Sequence, residues 1–126
     1  MSEENKAVVR RFVDLAQSSG QNLQFRIDNF SVPDEAREEF EQAMRRNLAF
    51  IETLPGFLGH LVFEKTAGAT AFNLATIAVW ESSKALDAAG AEVRAYYQGI
   101  GFDMPATLSR LGISAELGNF RAPREM

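Results

Sequence analysis

Two stretches in the middle of the chain constrain the fold more than anything else in it. Residues 57–65 (FLGHLVFEK) and 70–80 (TAFNLATIAVW) read as strands on either side of a turn at Ala67-Gly68-Ala69, and neither alternates apolar with polar. A sheet with one wet face alternates; strands that do not alternate need cover on both faces. The fold therefore has to provide two covers.

The flanking segments supply the first cover. Residues 23–32 (LQFRIDNFSV) do alternate, with Leu23, Phe25, Ile27 and Asn29 on one face and Gln24, Arg26, Asp28 and Phe30 on the other, which predicts another strand. Pro33-Asp34 breaks it and opens a helix over 34–53, whose apolar stripe is Phe40, Met44, Leu48 and Ile51 and whose early acids suit the helix dipole. Leu54-Pro55-Gly56 ends that helix. A second long helix is expected over 82–98, begun by Ser82 or Ser83 and ended by Gly99-Ile100-Gly101. A short helical piece, Pro105 to Leu111, and a last strand near 113–121 complete the chain, with a loose tail after it. Ahead of all this, residues 3–17 carry Val8, Val9, Phe12, Val13 and Ala16 at helical spacing.

The order after that first helix is β-α-β-β-α-β. It predicts an α+β, ferredoxin-like unit with a four-stranded antiparallel sheet and two helices on one face. The expected division is an N-terminal helical extension at 1–20 and a single domain at 21–126. The second apolar face is most simply covered by the same face of a second copy, so a two-fold homodimer, closed as a dimeric α+β barrel, is expected.

Composition narrows the chemistry. Cysteine is absent, which removes disulfides, thiolate nucleophiles and Cys-ligated metals, and His60 is the single histidine, so no metal site is expected. Net charge is −4, and the densest basic pairs, Arg10-Arg11 and Arg45-Arg46, sit among acids, so nucleic acid is not an expected partner. The opening MSEENKAVVRR lacks the apolar core of a secretory signal, and no apolar run approaches the roughly 18 residues of a membrane span, so the expected setting is cytoplasmic with no membrane partner.

The segments VPDEAREEFEQAM, LPGFLG, AVWESSKALDAAG and GISAELGNFR, in that order over about residues 23–122, resemble the antibiotic biosynthesis monooxygenase family of dimeric α+β barrel proteins. The pairing of LPGF with WES is distinctive, whereas each alone is common. The resemblance implies that some relatives oxygenate phenolic polycyclic compounds without metal or flavin, that others degrade haem, and that others have no known reaction. Haem-degrading relatives carry an iron-ligating histidine on the second helix, about ten residues after the tryptophan. Here that stretch reads LDAAGAE, with Gly90 near the expected place. The glycines of GIGF do not follow a dinucleotide-binding pattern. No cofactor is expected.

Three residues are expected to be catalytic. Trp80 ends the third strand; its indole N–H is a donor for a substrate oxygen, although a large aromatic here also serves as core. Asn29 lies on an otherwise apolar strand face and needs a partner, either a ligand or a neighbouring loop, and the resemblance implies a pocket asparagine there. Histidine is the side chain whose unperturbed pKa lies near neutrality, so His60 is a candidate base, with a packed histidine as the plainer reading. Asn73, Arg94, Tyr96 and Tyr97 are candidate substrate-binding residues, each of which would equally serve the fold. Arg26 and Asp28 are expected to pair at the dimer face or barrel rim. Small side chains at Ala75, Thr76 and Ala78, facing Ala85, Ala88 and Ala89, either leave room for a ligand or pack closely.

These residues lead to three functional readings: a cofactor-independent monooxygenase acting on a small aromatic or quinol-like molecule, a non-catalytic dimer that holds a small apolar or aromatic molecule, or a structural role in which the first helix reaches across to a partner subunit.

Overall fold

A computed structural model describes residues 22–123 and, before them, residues 2–4, 6, 7, 10, 11 and 14. The early described residues from Glu3 to Asp14 are helical, while the expected apolar stripe Val8, Val9, Phe12, Val13 and Ala16 lies outside the described residues.

Four strands, β1 (Gln24–Ser31), β2 (Phe57–Glu64), β3 (Leu74–Trp80) and β4 (Ser114–Phe120), form one antiparallel sheet in the order β2-β3-β1-β4. Helix α1 (Arg37–Ile51) joins β1 to β2 after a 3-10 turn at Asp34–Ala36, and α2 (Ser83–Ile100) and α3 (Met104–Leu111) join β3 to β4. The architecture is the ferredoxin-like βαββαβ unit expected from the sequence, with α3 added before the last strand.

Local chemistry explains the boundaries. Pro33 fixes an extended φ of −60° and cannot continue β1, so the chain turns into α1. Ser82 caps α2, its hydroxyl accepting from the Ala85 N–H, and Asp103 caps α3 through the Ala106 N–H. Gly101 and Gly112 close these helices in the left-handed region (φ 69° and 70°). Gly99 therefore lies inside α2 rather than ending it. β3 begins at Leu74, four residues later than expected. The hairpin is closed by the Lys65 N–H on the Asn73 carbonyl, and residues 66–73 are spent on the loop.

Strand alternation follows the sequence, and the register shows which face is which. Arg26, Asp28 and Phe30 of β1 lie beside Ala78, Thr76 and Leu74 of β3, and His60 and Val62 of β2 continue the row. The inner part of this row lies under the helices, while Val62 on the edge strand stays 52% exposed. The opposite face carries Phe25, Ile27 and Asn29 beside Val79, Ile77 and Ala75, then Leu61 and Phe63 on β2, and Gly118 and Phe120 on β4.

One core cluster joins Phe30, Val32, Ala36, Phe40, Leu74 and Ile113, with the Phe30 and Phe40 rings edge to face at 4.9 Å. A second, made of Leu23, Phe25 and Val79, lies on the opposite face. Phe63 and Phe120 on that face remain 49% and 53% exposed, a cost for large apolar rings that marks the face as only partly covered within one chain.

Candidate functional site

Between the helices and the sheet lies a cavity of about 450 Å³. That is within the usual range for small-ligand sites, roughly 300–1,000 Å³. It exists because the facing side chains are small where the layers meet: Thr76 and Ala78 on β3 oppose Ala89 and Gly90 on α2. Of the small residues expected to leave a gap, Thr76, Ala78 and Ala89 do so. Ala75 lies on the other sheet face, Ala85 packs against the Gly56 turn, and Ala88 is exposed. Met44, Leu48 and Ile51 from α1, Leu86 and Val93 from α2, and Leu108 from α3 make most of the wall apolar.

The polar exceptions are few and come from different elements. Trp80 is 3% exposed at the end of β3, its ring held edge to face by Phe57 at 5.3 Å. His60 reaches the cavity from β2, Arg26 and Asp28 from β1, Glu41, Arg45 and Asn47 from α1 and Tyr97 from α2. The Arg26 Nε donates to Asp28 Oδ1 at 2.7 Å. Burial pushes the Asp28 carboxyl above the ordinary 3.8, against the opposing pull of the Arg26 hydrogen bond and charge. Burial likewise raises the Tyr97 phenol above 10.0, so it stays protonated at neutral pH and acts as a donor rather than a base.

Among the sequence candidates, the structure brings Trp80, His60 and Tyr97 together around this space. It does not bring the others. Asn29 sits on the opposite face of the sheet, away from Trp80 and the cavity. Asn73 is occupied by the fold: its Nδ2 donates to the Val32 carbonyl at 2.8 Å and its Oδ1 accepts from the Val32 N–H at 2.9 Å, tying the hairpin loop to the end of β1. Tyr96 stacks flat on Phe50 at 4.2 Å, and Arg94 is exposed on α2 and is not among the residues lining the cavity.

The Arg26–Asp28 pair was expected at the dimer face or rim and instead forms part of the cavity wall. Alternation separates the two side-chain sets of β1, but only helix packing decides which set is enclosed. Here the more polar set went under the helices. Asn47 was missed because it stands within the apolar stripe of α1, between Met44 and Leu48, where a lone amide reads as an interruption. Its position three residues from each of Met44 and Phe50 was the available signal.

A ferredoxin-like sheet roofed by helices over a mostly apolar cavity with a few converging polar groups defines a class of small-ligand α+β proteins. Within that class the chain belongs to the antibiotic biosynthesis monooxygenase family, whose sequence profile matches residues 25–92. Among curated proteins none matches it significantly. Several solved structures are similar. SnoaB from Streptomyces nogalater, a cofactor-independent oxygenase, shares 27% identity over 83% of this chain and 97% of its own, with a TM-score of 0.60. A protein from Shewanella loihica PV-4 shares 18% over 82% and 96%, with a TM-score of 0.63. A mutant of MhuD, solved with two manganese protoporphyrin IX molecules per active site, shares 23% over 77% and 91%, with a TM-score of 0.59. The last two bear on the fold alone.

The resemblance to a family with haem-degrading members raises the question of a haem. The α2 wall of the cavity consists of Leu86, Ala89, Gly90 and Val93 near the place where a helical ligand would stand, and none of these can coordinate iron. These residues do not fit a haem ligated from the helix.

Proposed function

We propose that the cavity binds a small aromatic or quinol-like molecule and that the protein oxidises it with dioxygen, without a bound cofactor. The observation that carries this reading is the largely apolar, partly open cavity with Trp80, His60, Asp28 and Tyr97 in its wall. The 27% likeness to a cofactor-independent oxygenase supports it. In such a reaction an activated ring CH2 becomes a carbonyl: one oxygen atom of O2 enters the carbon, and the other leaves with the two hydrogens as water. The substrate supplies all four electrons once a proton has been removed.

The protein's tasks are then to exclude water, to hold the deprotonated ring and to accept the proton. The Trp80 indole N–H and the Tyr97 hydroxyl are the proposed donors to substrate oxygens. Two side chains in the wall, the His60 imidazole and the Asp28 carboxylate, can take the proton. Oxygen uptake measured with a panel of anthrones and quinols tests the reading. Trp80→Phe is expected to slow uptake at least about tenfold, roughly 1.4 kcal/mol of barrier, while Asn29→Ala leaves it unchanged. Tight binding of a panel member without any uptake would establish instead the second reading, a non-catalytic binding dimer, which the displacement of Asn29, Asn73 and Arg94 from the cavity favours. A haem titration is expected to leave the Soret band of free haem unshifted.

The homodimer belongs to the same proposal. The half-exposed face bearing Ile27, Leu61, Phe63, Ile77 and Phe120 is the surface on which a second copy would sit.

A further inference from the structure

Asn47 is an amide on the cavity-facing side of α1. It is 2% exposed, the only buried amide or charged side chain among the described residues, and it lines the cavity. Its Oδ1 accepts from the Arg46 Nε at 3.2 Å and Nη2 at 3.0 Å. A guanidinium only donates, so the amide end facing Arg46 must be the oxygen, and the orientation of the group is fixed by chemistry. Arg46 is in turn held by the Phe102 ring, 4.6 Å beneath its guanidinium. The other end, Nδ2, is buried and has no hydrogen-bond partner among the described residues. A buried N–H donor left unpaired is destabilising, so in a native structure it calls for a partner such as a water, an ion or a ligand group.

Asp28 is the complementary group. It comes from β1, across the cavity from α1, and offers a half-buried carboxylate whose Oδ1 is engaged by Arg26 on its own strand. Asn47 and Asp28 thus line the cavity from α1 and from β1, the first with an unpaired donor and the second with a carboxylate acceptor.

We infer that Asn47 and Asp28 are a positioning pair that orients the ligand: the Asn47 Nδ2 donates to a carbonyl or ether oxygen of the ligand, and the Asp28 carboxylate accepts its ring hydroxyl. The ligand class is an aromatic ring system with a hydroxyl on one edge and a separate hydrogen-bond acceptor on the other. The inference rests on the reading of this cavity as a site for small aromatics. Under that reading, Asp28 is the group to which the hydroxyl proton passes: the substrate O–H bond breaks, a carboxyl O–H bond forms, and the ring is left as the electron-rich phenolate.

The test uses the full chain and three probes: tetralone, which has only the carbonyl; tetrahydronaphthol, which has only the hydroxyl; and a hydroxytetralone with its hydroxyl on the ring edge away from the carbonyl. Trp80 is the single tryptophan and lines the cavity, so quenching of its fluorescence reads occupancy directly. Hydroxytetralone should bind the wild type most tightly. Asn47→Leu should weaken tetralone and hydroxytetralone about tenfold and leave tetrahydronaphthol unchanged. Asp28→Asn should weaken tetrahydronaphthol and hydroxytetralone and leave tetralone unchanged. The unaffected probe shows in each case that the cavity is intact, and Asn47→Ser serves in place of the leucine variant if that one does not fold. Equal losses on all three probes, or no loss on any, would overturn the positioning pair while leaving the cavity as a binding site. Failure of every probe to bind the wild type would overturn both the pair and the proposed function.

Discussion

At the scale of single residues, two positions show how little room the fold leaves. Gly56, in the LPGF turn, has φ +85°, and a Cβ there would lie 2.5 Å from the Ala85 Cβ at the start of α2. Backbone strain and a clash with a helix combine, so Gly56→Ala is expected to lower stability by about 2–4 kcal/mol, measured by urea unfolding. The glycine of the motif thus has a packing reason: it lets the turn before β2 lie against α2, where its carbonyl accepts from the Glu81 N–H at 2.9 Å. Asp28 gives a second expectation. Its carboxyl lies above 3.8 in the folded protein because burial disfavours the charge. The folded state therefore binds more protons than the unfolded state between that ordinary value and the raised one. Asp28's contribution is full below the ordinary value and falls as pH rises through the raised one. Comparing wild type with Asp28→Asn across pH isolates this term: the wild type should lose stability relative to the variant as pH climbs through that window. A flat difference would show that the carboxyl is not desolvated.

At the scale of elements, α2 is the informative piece. It is capped at one end by Ser82 and closed at the other by Gly101. Its inner face narrows to Ala89 and Gly90 where the cavity needs space. Gly90 does not adopt a positive φ, and a Cβ there would meet only the Arg94 Nη1 at 3.6 Å, an ordinary contact. Helical propensity then governs the small substitution, and Gly90→Ala should raise stability by up to about 1 kcal/mol, seen as a higher melting temperature. Gly90→Phe should instead place a ring in the cavity and abolish probe binding, by Trp80 fluorescence, while the protein stays folded. Strong probe binding by the phenylalanine variant would mean that the ligand site lies elsewhere. The two substitutions at one residue separate what the helix wants from what the site wants.

At the scale of the whole molecule, the sheet has one face under helices and another that is only partly covered. Burying Phe63 and Phe120 against a second copy would remove large apolar surface from water at about 25 cal/mol per Å². Light scattering at micromolar concentration is expected to report a particle of twice the 13.9 kDa chain mass. Phe63→Glu should shift it toward the single-chain mass, since a carboxylate facing its own symmetry mate is strongly disfavoured. A single-chain mass for the unaltered protein would remove the dimer from the proposal. In the described residues no helix is long and apolar enough to cross a membrane.

The element order, the antiparallel ferredoxin-like unit and the family were legible in the sequence because each rests on local signals. Pro33 and Gly101 act on the backbone in their own neighbourhood, and the alternation of β1 follows from a two-residue period that no partner can alter. Trp80 was legible for the same reason, as a conspicuous aromatic at a strand end within a distinctive motif. The composition of the cavity was not legible. Alternation divides β1 into two side-chain sets, but only the packing of α1, α2 and α3 on one face decides that Asp28 is enclosed and Asn29 is not. That decision is non-local, made by helices far from β1 in sequence, and it reversed the expected roles of neighbouring residues. Asn47 became visible only when burial showed an amide with one end clamped by Arg46 and the other end without a partner.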